Sequence, residues 1–253
     1  MQDPKVVYAD RVDWYVHGRP TYPEAVLGVL ADGRGLDPAR PVADVGSGTG
    51  MLTGLLLGNG NPVYAVEPNA AMRAVAERAF GGRPQFTSVA GTAEHTRLPD
   101  GSVEVVTVGQ ALHWFDLAGA REEFRRIQRP GGEVLLVWNE QPWEDSAVLA
   151  ELHGMLLELA PQYVRSLGSV PTLCGLAEEF FDGNAWTQTS MPNEQLLDER
   201  ALLGRVLSSS YAPGPDEPGR AELVRRVTEL HRRASHDGVV AIDYRTFAIH
   251  GRL

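Results

Sequence analysis

Five consecutive residues, Gly46-Ser47-Gly48-Thr49-Gly50, follow a short apolar run. Without a Cβ, each glycine lets the backbone turn sharply and approach a ligand closely. One glycine would serve a tight turn, whereas three in five positions point to a bound ligand. A dinucleotide fingerprint, G-x-G-x-x-G, needs its third glycine where Met51 stands, one residue after Gly50. The G-x-x-x-x-G-K-[ST] pattern of a phosphate-binding loop is missing as well. The loop is therefore not built around a pyrophosphate or a triphosphate. Glu67 follows Gly50 by 17 residues, at the end of the next apolar run. An ionised carboxylate only accepts hydrogen bonds, so an acid at this place suits the 2′ and 3′ hydroxyls of a ribose.

These residues need a scaffold, and the pattern around them supplies one. Pro41–Val45, Pro62–Val66, Gln85–Val89, Val103–Val108 and Glu133–Trp138 read as five short strands with helical spacing between them. Continuous apolar runs of this length suit a parallel sheet covered on both faces. Thr21 and Glu24 spell a capping box ahead of a helix carrying Tyr22, Ala25, Val26, Val29 and Leu30. Asn69 and Asp116 can cap the helices after the second and fourth strands, and Arg129-Pro130-Gly131-Gly132 breaks the helix before the fifth. Residues 148–159 form a long amphipathic helix that Pro161 ends, and loops with a short helix follow over 162–184. Residues 185–191 and 238–250 read as two late strands, with a helix over 223–234 between them. The whole is a doubly wound α/β sheet. The chain is expected to be one domain, residues 1–253, with 1–30 and 143–215 contributing a helical cap over the active site.

Composition closes off several classes. The chain has 253 residues, 43% hydrophobic and 22% charged, as a globular protein does. No run of 18 apolar residues predicts a membrane span. The N-terminal stretch lacks the pattern of a secretory signal. The single cysteine, Cys174, is expected to be a small buried hydrophobe and allows no disulfide within the chain. A cytoplasmic location is the simplest expectation. The net charge is −10, and the arginines are dispersed; those at 125, 126 and 129 and at 225, 226, 232 and 233 read as solvated helix faces. A nucleic acid is thus not expected as a partner. The seven histidines form no metal-binding pattern, so no metal is expected.

The motifs VADVGSGTG (42–50), VEP (66–68), AGTAEHTRLPDGSVEVVTVGQALHWFD (90–116) and RPGGEVLLVWNE (129–140) resemble those of class I S-adenosylmethionine-dependent methyltransferases. Tyr15 with Arg19-Pro20-Thr21-Tyr22-Pro23, and Ser208-Ser209-Ser210-Tyr211, extend the likeness outward, and HWFD is similar to a small-molecule subgroup of type 11-like enzymes. The resemblance implies a seven-stranded, mostly parallel sheet of order 3-2-1-4-5-7-6 with strand 7 antiparallel. It implies S-adenosyl-L-methionine as cofactor, S-adenosyl-L-homocysteine as product, and no metal.

Residue by residue, the resemblance implies that Asp44, Gly46, Ser47, Gly48 and Gly50 line the methionine end. Glu67 holds the ribose, and Pro68 and Met72 flank the adenine, with Thr92, Ala93 and Glu94 at its edge. Gln110 and Ala111 follow the fourth strand beside the sulfonium. Arg19, near Tyr15, is placed to pair with the methionine carboxylate. His113, with an ordinary imidazole pKa of ~6.5, is the candidate general base, beside Trp114. Trp14, Trp138 and Tyr211 line an aromatic acceptor pocket or serve core packing, with His17 and Glu140 as further acceptor contacts. The acceptor is expected to be a small molecule, an aromatic heterocycle or a small carboxylic acid. A nicotinamide-dependent oxidoreductase and a non-catalytic cofactor-binding module stay open on sequence grounds alone.

Overall fold

The computed structural model describes residues 12–29, 36–143, 146–166 and 172–253. Seven strands form one sheet: β1 (Val42–Val45), β2 (Val63–Val66), β3 (Phe86–Val89), β4 (Val103–Gly109), β5 (Gln128–Glu140), β6 (Trp186–Leu197) and β7 (Val240–Gly251). Their order is β3-β2-β1-β4-β5-β7-β6, with β7 antiparallel. β1 pairs in parallel with β2 on one side and β4 on the other; β2 pairs with β3 and β4 with β5 in the same sense.

The described helices are α1 (Val12–Gly18), α2 (Met51–Asn59), α3 (Ala70–Phe80), α4 (Leu117–Ile127), α5 (Ala147–Leu159), α6 (Pro161–Ser166), α7 (Leu173–Phe181), α8 (Glu199–Leu207) and α9 (Arg220–Ala234). The chain divides into two compact units. Tyr22–Asn139, Pro171–Met191 and Thr246–Leu253 form the first; Met1–Thr21, Glu140–Val170 and Pro192–Arg245, as far as they are described, form the second. Of the expected cap over 143–215, residues 171–191 thus fall in the first unit.

In the first unit, side-chain alternation splits each central strand between two apolar layers. Ala43, Val45, Val106, Val108, Val134 and Leu136 join Phe124, Phe180 and Phe181 on one face. Val42, Val105, Leu135 and Val137 join Leu52, Leu56 and Leu57 of α2 on the other. Burial on both faces is what the unbroken apolar runs require.

Several expectations change in detail. The segment after the TYPE sequence is a 3-10 helix, Glu24–Val29, in which Val26 alone is buried. Residues 128–132 do not separate helix from strand; they already belong to β5. The register slips between Val103 and Val105 of β4, opposite Gln128 and Glu133, and the irregularity absorbs Pro130 and Gly131. Pro161 does not merely end a helix, since it starts α6, where its missing N–H is no loss. β6 runs six residues past its expected end and carries Pro192 on the sheet's edge, where an absent donor is tolerated. Sequence periodicity gave no sign of α8, which Asp198 caps by accepting from the Ala201 N–H at 2.7 Å. Asp116 stands at the N-cap of α4, but its side chain makes no cap bond.

The second unit has its own core, built from α5, α6, α8, α9 and β7 residues such as Leu149, Leu156, Leu202, Leu207, Val227 and Ile242. Here α1 and α8 meet through glycines. A Cβ on Gly18 would lie 2.0 Å from the Arg205 nitrogen and 2.1 Å from the Gly204 carbonyl carbon. Backbone cannot yield as a flexible side chain can. Gly18→Ala is therefore expected to destabilise the protein by about 3 kcal/mol or to detach α1 from α8. Denaturant unfolding, with amide exchange across α1, checks this; an unchanged midpoint with protected α1 amides would contradict it.

Candidate functional site

The strand order reverses between β1 and β4, so the chain leaves their carboxyl ends in opposite directions and opens a crevice there. Three segments follow these ends: the glycine loop after β1, Glu67 after β2, and residues 110–116 after β4.

The glycine loop turns under β2. The N–H groups of Gly46 and Ser47 both donate to the Val66 carbonyl, at 2.9 and 3.1 Å, and Gly50 N–H donates to Ser47 O at 2.9 Å. Gly46, Gly48 and Gly50 have φ of 70°, 57° and 90°, in the left-handed region. A Cβ on Gly46 would stand 2.7 Å from Ala111 Cβ and 3.2 Å from Phe115 Cζ; one on Gly50 would stand 2.7 Å from Phe80 Cε2. The loop is therefore pressed against the turn after β4 at one end and against α3 at the other.

Glu67 is buried, and both of its carboxylate oxygens hold backbone. Oε2 accepts from Gly48 N–H at 2.9 Å and Oε1 from Asn69 N–H at 2.7 Å. Asn69 then caps α3, its Oδ1 accepting from Ala71 and Met72 N–H. Burial pushes the Glu67 carboxyl up from its ordinary range, while these N–H groups and Arg73 oppose the rise. Each carboxylate oxygen has a second lone pair for a further donor.

Asp44 is buried at the end of β1. Thr53 Oγ1 of α2 donates to its Oδ2 at 2.6 Å, and Thr107 Oγ1 of β4 donates to its Oδ1 at 3.1 Å. Burial raises its pKa from 3.8 to about 6, against the pull of the two hydroxyls. A folded-state value above the unfolded one means that the folded protein holds this proton more tightly. Stability from this group is then greatest below about pH 4 and falls as pH rises to about 6, by roughly 3 kcal/mol. Asp44→Asn removes the fall but weakens one threonine bond. The variant is expected to match the native protein near pH 4 and to exceed it by roughly 2 kcal/mol at pH 7. Denaturant titrations at both pH values check this; a pH-independent difference would refute it.

The remaining residues of the first unit fall beside these. Met72 is buried, its Cε 3.7 Å from the place of a Cβ on Gly48, and Pro68 is half-buried. Thr92 and His95 exchange backbone hydrogen bonds at 3.1 and 3.3 Å, which turns the chain around buried Ala93. Glu94 is exposed, and its Oε1 accepts from the Asp116 N–H at 3.0 Å. Glu94 thus meets one of the donors at the start of α4, where Asp116 was expected to cap with its own side chain. After β4, Gln110 has φ 55° and leads through Ala111 into a 3-10 turn, Leu112–Trp114. That turn sets the His113 ring 4.7 Å from Trp114 and, edge-on, 5.2 Å from Trp138 of β5.

The other candidates belong to the second unit. Trp14 is half-buried against its core and His17 is exposed, while the Tyr15 side chain lies outside the described residues. Arg19 donates from Nε to Ser208 Oγ at 3.1 Å and from Nη2 to Ser208 O at 3.2 Å, at the end of α8. Tyr211 packs 4.7 Å from Tyr163, which also meets His153 and Trp143. Glu140 is exposed, with Arg245 as a charge of opposite sign.

Sequence reasoning missed Thr53, Thr107, Phe80 and Phe115. Thr107 and Phe115 stand inside quoted motifs, but none of the four is assigned a role by type or spacing, because their roles arise from contact across elements. Cys174 is exposed rather than buried. It lies on the outward side of α7, whose Leu173, Leu176, Ala177 and Phe180 fill the core, and its Sγ contacts Gln188 Oε1 at 3.1 Å. Among the described residues, no group of three His, Cys, Asp or Glu side chains is placed to hold a metal, and no helix is long and apolar enough to cross a membrane.

One observation tests whether a cofactor fits. The hydroxyls Ser47 Oγ and Thr49 Oγ1 are buried in the glycine loop with no hydrogen-bond partner from the protein. Buried hydroxyls without partners are costly and need an explanation. A ligand with carboxylate, ammonium or hydroxyl groups against this loop would supply partners, so the residues present fit an amino-acid-bearing nucleoside.

Comparison with known proteins agrees. Residues 43–136 match a family described as a methyltransferase domain. An uncharacterized methyltransferase of Mycobacterium tuberculosis is 32% identical over 260 residues, covering 100% of this chain and 98% of its own. A demethylmenaquinone methyltransferase of Beutenbergia cavernae is 34% identical over 131 residues, half of each chain. A solved structure of a candidate type II methyltransferase from Anaeromyxobacter dehalogenans superimposes with a TM-score of 0.65 at 26% identity, covering 92% of this chain and 97% of that one.

Proposed function

The chain belongs to the class I S-adenosylmethionine-dependent methyltransferases, and from that premise we propose that it methylates a small molecule, an aromatic heterocycle or a small carboxylic acid. The observation that carries this reading is the aromatic turn directly after β4. His113 stands between the indoles of Trp114 and Trp138, and Ala111 and Phe115 of the same turn press on Gly46 of the glycine loop. Flat apolar rings with a single imidazole among them suit a small planar acceptor. The likeness to a relative named demethylmenaquinone methyltransferase supports an acceptor that is not a polymer.

The cofactor, when bound, supplies an activated methyl group whose transfer leaves a neutral thioether. Every remaining task falls to the protein. In this reading the glycine loop and Asp44 hold the methionine end, with the Ser47 and Thr49 hydroxyls as added contacts. In this reading Glu67 accepts ribose hydroxyls, which the lone pairs left over by Gly48 and Asn69 support. In the same reading Pro68 and Met72 flank the adenine, with Thr92, Ala93 and Glu94 along its edge. His113 takes the acceptor's proton when it has one at working pH, and Trp114 and Trp138 exclude water and fix the acceptor plane.

A nucleic-acid acceptor is disfavoured, because four of the α9 arginines are already matched with acids. Arg225 pairs with Glu222, Arg226 with Glu158, Arg232 with Glu229 and Arg233 with Glu151. A cytoplasmic location fits this reading. The test is transfer of labelled methyl from S-adenosylmethionine to a panel of heterocycles, small acids, peptides and oligonucleotides. Turnover with the first two classes is expected. Turnover confined to peptides or oligonucleotides would overturn the proposal.

A further inference from the structure

The carboxyl end of β4 is closed by a side chain standing in for backbone. Gln110 N–H continues the β4–β5 ladder by donating to Val137 O at 3.0 Å. In a parallel pair the next rung comes from the residue two further along the partner strand, so Asn139 N–H would donate to a carbonyl of β4 if that strand continued. It does not continue, because Gln110 turns into the left-handed region. The rung forms all the same, with Asn139 N–H donating to the Gln110 side-chain Oε1. Asn139 is itself buried, and its Oδ1 accepts from Thr246 Oγ1, a fully buried hydroxyl on β7.

A left-handed glutamine is a strained state, and such states persist only where the surroundings over-determine them. The two bonds to β5, one from the main chain and one from the side chain, do so. The 3-10 turn that carries His113 and Trp114 starts two residues later, so the direction in which the chain leaves Gln110 sets where both rings stand. Trp138 lies between the two β5 residues that clamp Gln110. One clamp thus fixes all three rings relative to one another.

We propose that Gln110 and Asn139, braced by Thr246, are positioning residues that set the His113–Trp114 turn against Trp138. Gln110 acts here through its hold on Asn139. The importance of that turn for transfer rests on the functional reading above; the clamp itself does not.

The experiment measures amide exchange and Trp indole N–H signals by NMR in the full chain, without ligand. It is followed by calorimetric titration with S-adenosylhomocysteine. Gln110→Met removes the acceptor at similar size, Gln110→Glu restores an oxygen, and Thr246→Val removes the brace. In Gln110→Met the Asn139 amide is expected to exchange about 10-fold faster, as loss of one hydrogen bond implies. The Trp114 and Trp138 indole signals should shift in the same variant. Gln110→Glu should return both toward native, and Thr246→Val should fall between. An unchanged Asn139 amide or unmoved indole signals in Gln110→Met would overturn the clamp, as would failure of Gln110→Glu to rescue. Should Gln110→Met not fold, native behaviour of Thr246→Val in both readouts would overturn the brace. Native protein that does not bind S-adenosylhomocysteine would defeat the functional reading and leave the exchange result standing.

Discussion

Glu67→Ala is expected to weaken S-adenosylhomocysteine binding by roughly 10- to 100-fold, equivalent to about 1–3 kcal/mol. Two losses combine. The ribose hydroxyls lose their acceptor, and the Gly48 and Asn69 N–H groups lose the oxygens that now hold the glycine loop and the start of α3 in place. Glu67→Gln separates these effects. An amide offers one oxygen where the carboxylate offers two. One backbone N–H then faces an NH2 group, and affinity should fall between that of native protein and Glu67→Ala. Calorimetry on the three proteins reads the order directly. Equal affinities would remove Glu67 from the cofactor site. Thermal unfolding on the same samples tests the structural part, where a lower Tm without ligand is expected for both variants.

Gly46→Ala should be strongly damaging to the first unit. The residue sits at φ 70°, where an alanine costs about 1–2 kcal/mol. Its Cβ would also meet Ala111 Cβ at 2.7 Å and Phe115 Cζ at 3.2 Å. Together these should lower stability by about 3 kcal/mol or force the 111–115 turn aside, with loss of S-adenosylhomocysteine binding. Ala111→Gly removes the nearest obstacle. The double variant should recover part of the loss, and a double-mutant cycle measures how much. Gly58→Ala is the control. It lies in α2, and a Cβ there meets nothing within 4 Å. That change should stabilise by about 0.5–1 kcal/mol. Purely additive effects of Gly46→Ala and Ala111→Gly would show that the loop and turn do not press on each other.

Some elements were legible because their causes are local. Apolar runs of four to seven residues specify β1, β2 and β4, since only a strand covered on both faces needs them. Asn69 was legible as a cap because its side chain reaches N–H groups two and three residues ahead. Asp116 offered the same signal and misled. Glu94, 22 residues earlier in sequence, reaches the Asp116 N–H in space, and no local rule contains that residue. The extra length of β5 was hidden because proline and glycine read as breakers, while a slip in register absorbs them.

The sequence by itself determined the sheet class, the order of motifs along the chain, and the loop and acid proposed for the cofactor. Each depends on residue type and spacing over a few tens of residues. Tertiary structure alone decided what holds that site in shape. Thr53 and Thr107 close on Asp44, Phe80 and Phe115 on the glycine loop, and Asn139 and Thr246 on Gln110. These partners come from different strands and helices. The motif resemblance implied the order in which β1, β4, β5 and β7 lie side by side, but neither residue type nor spacing along the chain encodes which side chains meet across them.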